Sequence, residues 1–515
     1  MTNPTNLYVI IQAGGRGSRL RHHTWNKPKC LVSVHGKPII YHAFDYFPNA
    51  TFIIIGDYAF SQLEKYLKTN PPTVAYKLIH TTNKGTASGI AQALDLIPSD
   101  SRVVLMWSDL IIKSLPNFLD RNLPVVFTTS SFTCRWTISE EGVLRELPAS
   151  INGIPGIFYF PNKDHFITPP TNGEFVKWFS ITYLKFETID CPDLEELGDF
   201  HSIEENNDRA GFSRFFNKVE ISKNSVTKTV LDPNYQDLQS KEIAWYGEVQ
   251  KLKFRRIPKV FTTNPFVIER INGLHAYEMH DLTEREKRAV MADYLDTLTS
   301  LHDSKSTQTI TEDAFEVYLN KTINRINSVS GIIPAFEKDS MTINGKKCKN
   351  LFSDKYEGEL QKIISNLVPK KFTAIHGDPT FSNTLVDDNL RVWFFDPRGY
   401  FANPGIMGDP LYDFAKVYYS AVGGYDLFNR RKFKLHIDEH AVEILQADSI
   451  FAKTAPQVFA NYFSEDFHKI QLIHGLIWLS LSGYAKDDID SVIGAFYYGL
   501  YWLELAQNKK TPTNS

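Results

Sequence analysis

Short apolar runs alternate with amphipathic stretches along the first 130 residues. Residues 7–11, 52–55, 74–79, 103–106 and 125–127 predict strands, several of them apolar on both faces. Between them, 39–47, 60–67 and 86–96 have helical composition. Strands that alternate with helices fold as an open, largely parallel α/β sheet, with ligands beyond the carboxyl ends of the strands. Residues 190–210 are rich in Asp, Glu and Asn and either close this domain or lead into the next. From Phe212 the pattern changes: 215–221 and 226–230, separated by Ser222-Lys223-Asn224-Ser225, predict a hairpin, and 260–262 and 266–269 add strands. Beyond Leu282 most segments are helical, interrupted by a hairpin around Asp387-Asp388-Asn389. A small sheet followed by a helical bulk makes a two-lobed α+β domain. The expected division is 1–208 and 209–515, the latter with a small lobe at about 209–275 and a large lobe at about 276–515.

Length supports that division, since 515 residues exceed one ordinary core. A formal charge of −3 gives no global field to recruit nucleic acid or an acidic membrane, and Arg430-Arg431-Lys432 is a local surface cluster. Cys30, Cys134, Cys191 and Cys348 lack metal-ligand spacing and are expected to be reduced thiols. The first seven residues do not have the order of a signal peptide. No apolar run is long enough to span a bilayer; residues 492–506 are expected to form a buried C-terminal helix and the last few residues to be disordered. These features predict a cytoplasmic protein with no nucleic-acid partner and no membrane insertion, and they leave the oligomeric state open.

Two phosphate-handling patterns change the picture. Tyr8-Val9-Ile10-Ile11 leads into Gly14-Gly15-Arg16-Gly17-Ser18-Arg19-Leu20, then Lys27-Pro28-Lys29. Glycines there let backbone N–H groups approach phosphate oxygens. Arg19 and Lys29 supply cations for a triphosphate and for the charge that develops as pyrophosphate leaves. With Gly36 to Pro38, these motifs resemble the sugar-nucleotide pyrophosphorylase and phosphocholine cytidylyltransferase family. The resemblance implies that Arg19 contacts the leaving pyrophosphate and Lys29 the reacting phosphates. Lys84-Gly85-Thr86-Ala87 is similar to the family's turn beside base and sugar, and Asp109, in Trp107-Ser108-Asp109, to its first Mg²⁺ ligand. Glu196 or Asp199, in Glu196-Leu197-Gly198-Asp199, is the expected second carboxylate, and Gly156-Ile157-Phe158 the expected acceptor-pocket strand.

The second pattern is His376-Gly377-Asp378 with Asn383 and Asp396. Folding about Asp387-Asp388-Asn389 brings Asn383 and Asp396 to one end of a hairpin, where an amide oxygen and a carboxylate can share Mg²⁺ with a nucleotide while Asp378 reaches a hydroxyl. The spacing resembles the aminoglycoside phosphotransferase and choline kinase family. The resemblance makes Asp378 the catalytic base, Asn383 and Asp396 metal ligands, Lys228 and Glu242 a phosphate-holding pair, and the strand carrying Glu269 the hinge beside adenine. Asp396-Pro397-Arg398 departs from the family, which often has an acidic residue at the last position. His376 is expected to be a structural hydrogen-bonder, and Asp409 and Asp413 to cap a helix and brace a loop.

Together the two resemblances imply a bifunctional enzyme. ATP phosphorylates a sugar, polyol or amino-alcohol, and a second triphosphate (CTP, UTP, dTTP or GTP) then reacts with the product, with Mg²⁺ at both sites. The alternatives are a kinase carrying a regulatory or degenerate first domain, and a glycosyltransferase–kinase fusion. The latter chemistry usually brings a D-x-D motif, where this strand end has Trp107-Ser108-Asp109.

Overall fold

Seven strands form the sheet of the first unit: β1 (Leu7–Gln12), β2 (Thr51–Gly56), β3 (Ala75–His80), β4 (Arg102–Trp107), β5 (Val125–Thr128), β6 (Ile157–Phe160) and β7 (Glu187–Asp190). Their order is β7-β5-β6-β4-β1-β2-β3. All neighbouring pairs are parallel except those of β6, which runs antiparallel to both β4 and β5. The computed structural model describes residues 6–140, 142–183, 185–210 and 217–508. The expected disorder of the last few residues and the first residues of the predicted 215–221 strand lie outside them.

Strands β1 and β2 are apolar on both faces because each face meets helices. Phe52 packs edge-on against Phe44 of α1 (Ile39–Tyr46), at 4.8 Å between ring centroids. Its neighbours Ile53 and Ile55 point to the other face. There they join Ile90 and Leu94 of α3 (Ile90–Asp95) and Phe175 and Phe179 of α4 (Phe175–Thr182) in one core. Helix α2 (Phe60–Thr69) and α5 (Phe200–Ala210) complete the unit's longer helices. β1 pairs with β2 on one side and β4 on the other, so successive connections diverge at its carboxyl end. Ligands bind at such a switch point.

The helix expected over 86–96 is confined to Ile90–Asp95. Gln12 Nε2 donates to the Thr86 and Ser88 carbonyls, each at 2.8 Å, and these bonds hold the preceding residues as a turn. The acidic stretch 190–210 forms a strand, Leu194–Glu196, paired antiparallel to Leu110–Ile112, followed by α5.

The chain divides into Met1–Asn206 with Asp487–Ile489, and Asn207–Lys486 with Asp490–Ser515. In the second unit, β8 (Asn217–Ile221), β9 (Ser225–Val230), β10 (Val260–Thr263) and β11 (Phe266–Glu269) form an antiparallel sheet of order β8-β9-β11-β10, with α6 (Gln236–Lys251) between β9 and β10. Helix α7 (Glu284–Asp303) starts at a Thr283–Glu286 capping box. The hairpin of β12 (Thr384–Val386) and β13 (Val392–Phe394) precedes α8 (Pro410–Ala421). A buried helix α9 (Phe467–Ser482) packs with α8, and α10 (Ile489–Asn508) ends the described chain. The reading of this region as helices with one hairpin is incomplete. Ser340–Ile343 and Lys346–Lys349 form a second four-stranded sheet with Phe433–Ile437 and Ala441–Gln446, pairing segments about a hundred residues apart. No described helix is long and apolar enough to cross a membrane.

Candidate active sites

The loop after β1 is shaped by two close approaches. Gly17 has φ +64°, and a Cβ there would lie 3.1 Å from the Lys29 Cβ. A Cβ on Gly14 would lie 3.1 Å from that of Asp57, whereas Gly15 faces open space. Lys29 follows Pro28 in a single tight turn, and its buried Nζ lies 2.5 Å from Asp109 Oδ2, just past β4. The register that pairs Glu196 with Leu110 sets Glu196 beside Asp109, and Leu197 N–H donates to the Asp109 carbonyl at 3.0 Å. Arg19 Nη2 lies 3.8 Å from Glu196 Oε1.

Burial pushes the Glu196 carboxyl above the usual glutamate range, and Asp109 adds to the effect, outweighing Lys29 and Arg19. Two neighbouring carboxylates in a partly dry site fit a divalent cation with oxygen ligands. Asp199 has another use: its Oδ1 accepts from His201 N–H at 2.8 Å and Ser202 N–H at 3.0 Å at the start of α5. Those bonds hold its carboxyl below the usual aspartate range. Arg19, Lys29, Asp109 and Glu196 therefore come together, while Asp199 serves as a helix cap.

Gly85, at φ +94°, passes so near the Gly173 carbonyl that a Cβ would stand 2.3 Å from its oxygen. The Thr86 hydroxyl accepts from Phe175 N–H at 2.8 Å, tying this turn to the start of α4. Gly156 leaves room for the Trp107 indole. Gln12 was not singled out in the sequence, although a polar residue ending an otherwise apolar strand marks it.

In the second unit, the hairpin register continues past its strands. Phe395 N–H donates to the Asn383 carbonyl at 3.1 Å, so Asn383 and Asp396 meet at the same end. Asn383 Nδ2 donates to Asp378 Oδ2 at 3.0 Å and to its carbonyl at 2.8 Å. Lys228, on β9, is buried with its ammonium between Glu242 of α6, at 2.5 Å, and Asp396. Burial works against that charge, but Asp396 and Glu242 outweigh it and raise its pKa. An amide oxygen, two carboxylates and a fixed ammonium fit a metal-bound polyphosphate. Glu269 stands apart from this group, its carboxylate accepting from Lys259 N–H at 3.1 Å at the end of β11.

Asp413 holds the turn before Asp378. Fully buried, it accepts from His376 N–H at 2.8 Å and Gly377 N–H at 2.7 Å, and pairs with His302 at 3.1 Å. His376 Nε2 pairs with the Phe395 carbonyl at 3.0 Å, linking that turn to the hairpin. Asp409 caps α8 through Leu411 N–H and accepts from the Tyr318 hydroxyl at 2.7 Å. Lys416 was missed: its Nζ lies 2.9 Å from Asp378 Oδ1, and nothing in the sequence distinguishes it from other lysines on an amphipathic helix.

All four cysteines are buried free thiols, and burial pushes Cys30, Cys134 and Cys348 up to about 12.

Residues 8–123 match the nucleotidyl transferase family model. The chain is 32% identical over 114 residues to the mannose-1-phosphate guanylyltransferase catalytic subunit beta of Drosophila melanogaster, covering 21% of this chain and 31% of that protein. It is 33% identical over 107 residues to the bifunctional protein GlmU of Chromohalobacter salexigens, covering 20% and 22%. The chain thus spans a third or less of the length of these relatives. Among solved structures, the CTP:phosphocholine cytidylyltransferase of Streptococcus pneumoniae aligns over 39% of this chain and 97% of its own, with 17% identity and a TM-score of 0.32. The first unit carries a nucleotidyltransferase-type α/β domain.

Proposed function

We propose that the chain catalyses two successive transfers: ATP phosphorylates a small hydroxylated metabolite, and the resulting phosphate attacks a second nucleoside triphosphate. The product is a nucleotide-activated donor suited to surface glycan synthesis. In the first transfer the acceptor hydroxyl loses its proton to Asp378 as its oxygen bonds to the γ-phosphorus, and the bond to ADP breaks. Asn383 fixes the Asp378 carboxylate, and Asp413 fixes the turn carrying it. Lys228, oriented by Glu242, holds the nucleotide phosphates. In the second transfer an oxygen of the new phosphate bonds to the α-phosphorus, and pyrophosphate leaves. Lys29 and Arg19 neutralise charge, and the glycine loop supplies backbone donors. Mg²⁺, held by Asp109 and Glu196 in one site and by Asn383 and Asp396 in the other, would draw charge from the reacting phosphates.

The reading rests above all on Asp378: its two carboxylate oxygens are taken by Asn383 and Lys416, beside a Lys228–Glu242–Asp396 group whose members are far apart in sequence. Its test supplies Mg·ATP with a panel of sugars, polyols, amino-alcohols and hydroxy acids and follows ADP. Acceptor-dependent ADP release that Asp378→Asn removes supports it. ADP release indifferent to both acceptor and Asp378 would leave the first unit's activity alone.

A further inference from the structure

Four half-buried cations form one electrostatic group: Lys321, Arg398 and Lys416 act on Asp378, and Arg325 acts on Lys321 and is acted on by Arg398. Lys416 comes from α8 and reaches Asp378 Oδ1, the oxygen that Asn383 does not take. Arg398 donates to the Tyr412 hydroxyl at 3.0 Å and lies over the Tyr400 ring, 4.2 Å from its centroid. Arg325, on the helix Lys321–Asn327, donates to the Ser480 carbonyl and hydroxyl at 3.1 and 2.9 Å, so neutral groups anchor it. One turn earlier on that helix, Lys321 has no carboxylate at ion-pair distance among the described residues. Its ammonium is held well below the ordinary lysine range, by burial first and then by Arg398, Arg325 and Lys416, with Asp378 opposing.

Four cations around one carboxylate repel one another, and partly dry charge of a single sign is the signature of a binding site for the opposite charge. In the reading above, the nucleotide phosphates face Lys228, Asn383 and Asp396. Lys416 takes the other Asp378 oxygen, and Lys321, on a separate helix with Arg325, lies within electrostatic reach of Lys416, Arg398 and Asp378. The nearby rings are no cage for an ammonium group, because the protein's own cations already face them: Arg398 over Tyr400, and Lys416 at 5.3 Å from Tyr419 and 5.8 Å from Tyr412. The Tyr419 hydroxyl is buried, has no hydrogen-bond partner among the described residues and lies within electrostatic reach of Asp378.

We infer that the acceptor phosphorylated at Asp378 is itself an anion, a hydroxylated molecule already bearing a carboxylate or phosphate that Lys321, Arg325, Arg398 and Lys416 receive. This rests on the kinase reading and narrows its acceptor, setting choline-like and neutral acceptors aside. The new phosphoryl group goes to a hydroxyl, whose proton passes to Asp378, and the resident anion stays with the cations.

The test titrates the full chain by calorimetry, with and without Mg·AMP-PNP, using matched probes: glycerol, D-glycerate and sn-glycerol 3-phosphate; glucose, glucuronate and glucose 6-phosphate; choline and ethanolamine. The carboxylate and phosphate arms distinguish the two sources of charge. Anionic members are expected to bind at least tenfold more tightly than their neutral counterparts. Lys321→Ala should weaken them at least tenfold, Lys321→Arg should restore them, and AMP-PNP binding should stay within twofold. Equal or tighter binding of neutral or cationic members, or no binding by any anion, would overturn the inference. So would a Lys321→Ala effect on AMP-PNP instead, which would assign the cluster to the γ-phosphate. Failure of Mg·AMP-PNP to bind the second unit would count against the kinase reading, while the nucleotide-free anion titration still decides this one.

Discussion

Lys29 Nζ lies 2.5 Å from Asp109 Oδ2, joining a residue just past the glycine loop to one at the end of a neighbouring strand 80 positions on. A cation held by a carboxylate binds phosphate weakly unless that carboxylate is shared with a metal ion, so under the proposed reading this one contact couples the phosphate-binding and metal-binding roles.

Lys29→Ala is expected to lower nucleotidyl transfer by about 10²–10³, the loss typical of one preorganised charge-stabilising group. Pyrophosphate release with a phosphorylated acceptor measures it. ADP release by the second unit should change less than twofold.

Glu196 and Asp199 should separate cleanly. Glu196→Gln is expected to raise the Mg²⁺ concentration for half-maximal transfer by about tenfold or more, since it removes one of two neighbouring carboxylates. Because Glu196 holds its proton to higher pH than an ordinary glutamate, wild-type Mg²⁺ affinity should begin to fall at a correspondingly higher pH on acidification. Asp199→Ala should leave the Mg²⁺ titration unchanged and cost about 1 kcal/mol in denaturant unfolding of the first unit, through the lost cap on α5.

Asp378→Asn keeps the shape of the side chain and removes its basicity. Phosphorylation is expected to fall by about 10²–10⁴, in the range of general-base contributions. Transfer from a second triphosphate to an acceptor phosphorylated beforehand should be unaffected.

Asp409 gives a stability signature independent of activity. Burial pushes its carboxyl up to about 6, with Asp413 adding to the effect, against an ordinary value of 3.8. Between those values the folded state binds more protons than the unfolded one, so this group's contribution to stability declines as pH rises through that window. The difference corresponds to about 3 kcal/mol. Asp409→Asn, whose amide oxygen can accept from Leu411 N–H while its amide nitrogen donates to the Tyr318 hydroxyl oxygen, should flatten the wild-type slope of unfolding free energy between pH 4 and 6. An unchanged slope would mean that Asp409 is charged when buried.

The parts of this molecule legible in its sequence are those written locally. Runs such as Val9-Ile10-Ile11 mark strands covered on both faces, and the glycines before Arg19 mark a backbone that must come close to something. Features set by distant pairing were not legible. β6 enters the sheet antiparallel between β4 and β5, and Ser340–Ile343 pairs with Ala441–Gln446, with no local signal for the partner. The helix expected over 86–96 loses its first turn to a side chain 74 residues away, Gln12 to Thr86. Lys416 meets Asp378, and Lys321 comes within its electrostatic reach, for the same reason: their spacing in sequence carries nothing about their convergence in the fold.

One ³¹P NMR measurement tests the two-step reaction most directly. The full chain would be incubated with Mg²⁺, ATP, the other four triphosphates and a panel of sugars, polyols, amino-alcohols and their carboxylated or phosphorylated counterparts. The expected result is a new phosphomonoester with ATP alone and, from members not already phosphorylated, a diphosphodiester only when ATP and one particular second triphosphate are both present. A diphosphodiester that forms without ATP from an unphosphorylated acceptor, or a monoester that no triphosphate converts even with inorganic pyrophosphatase present, would contradict the two-step reading.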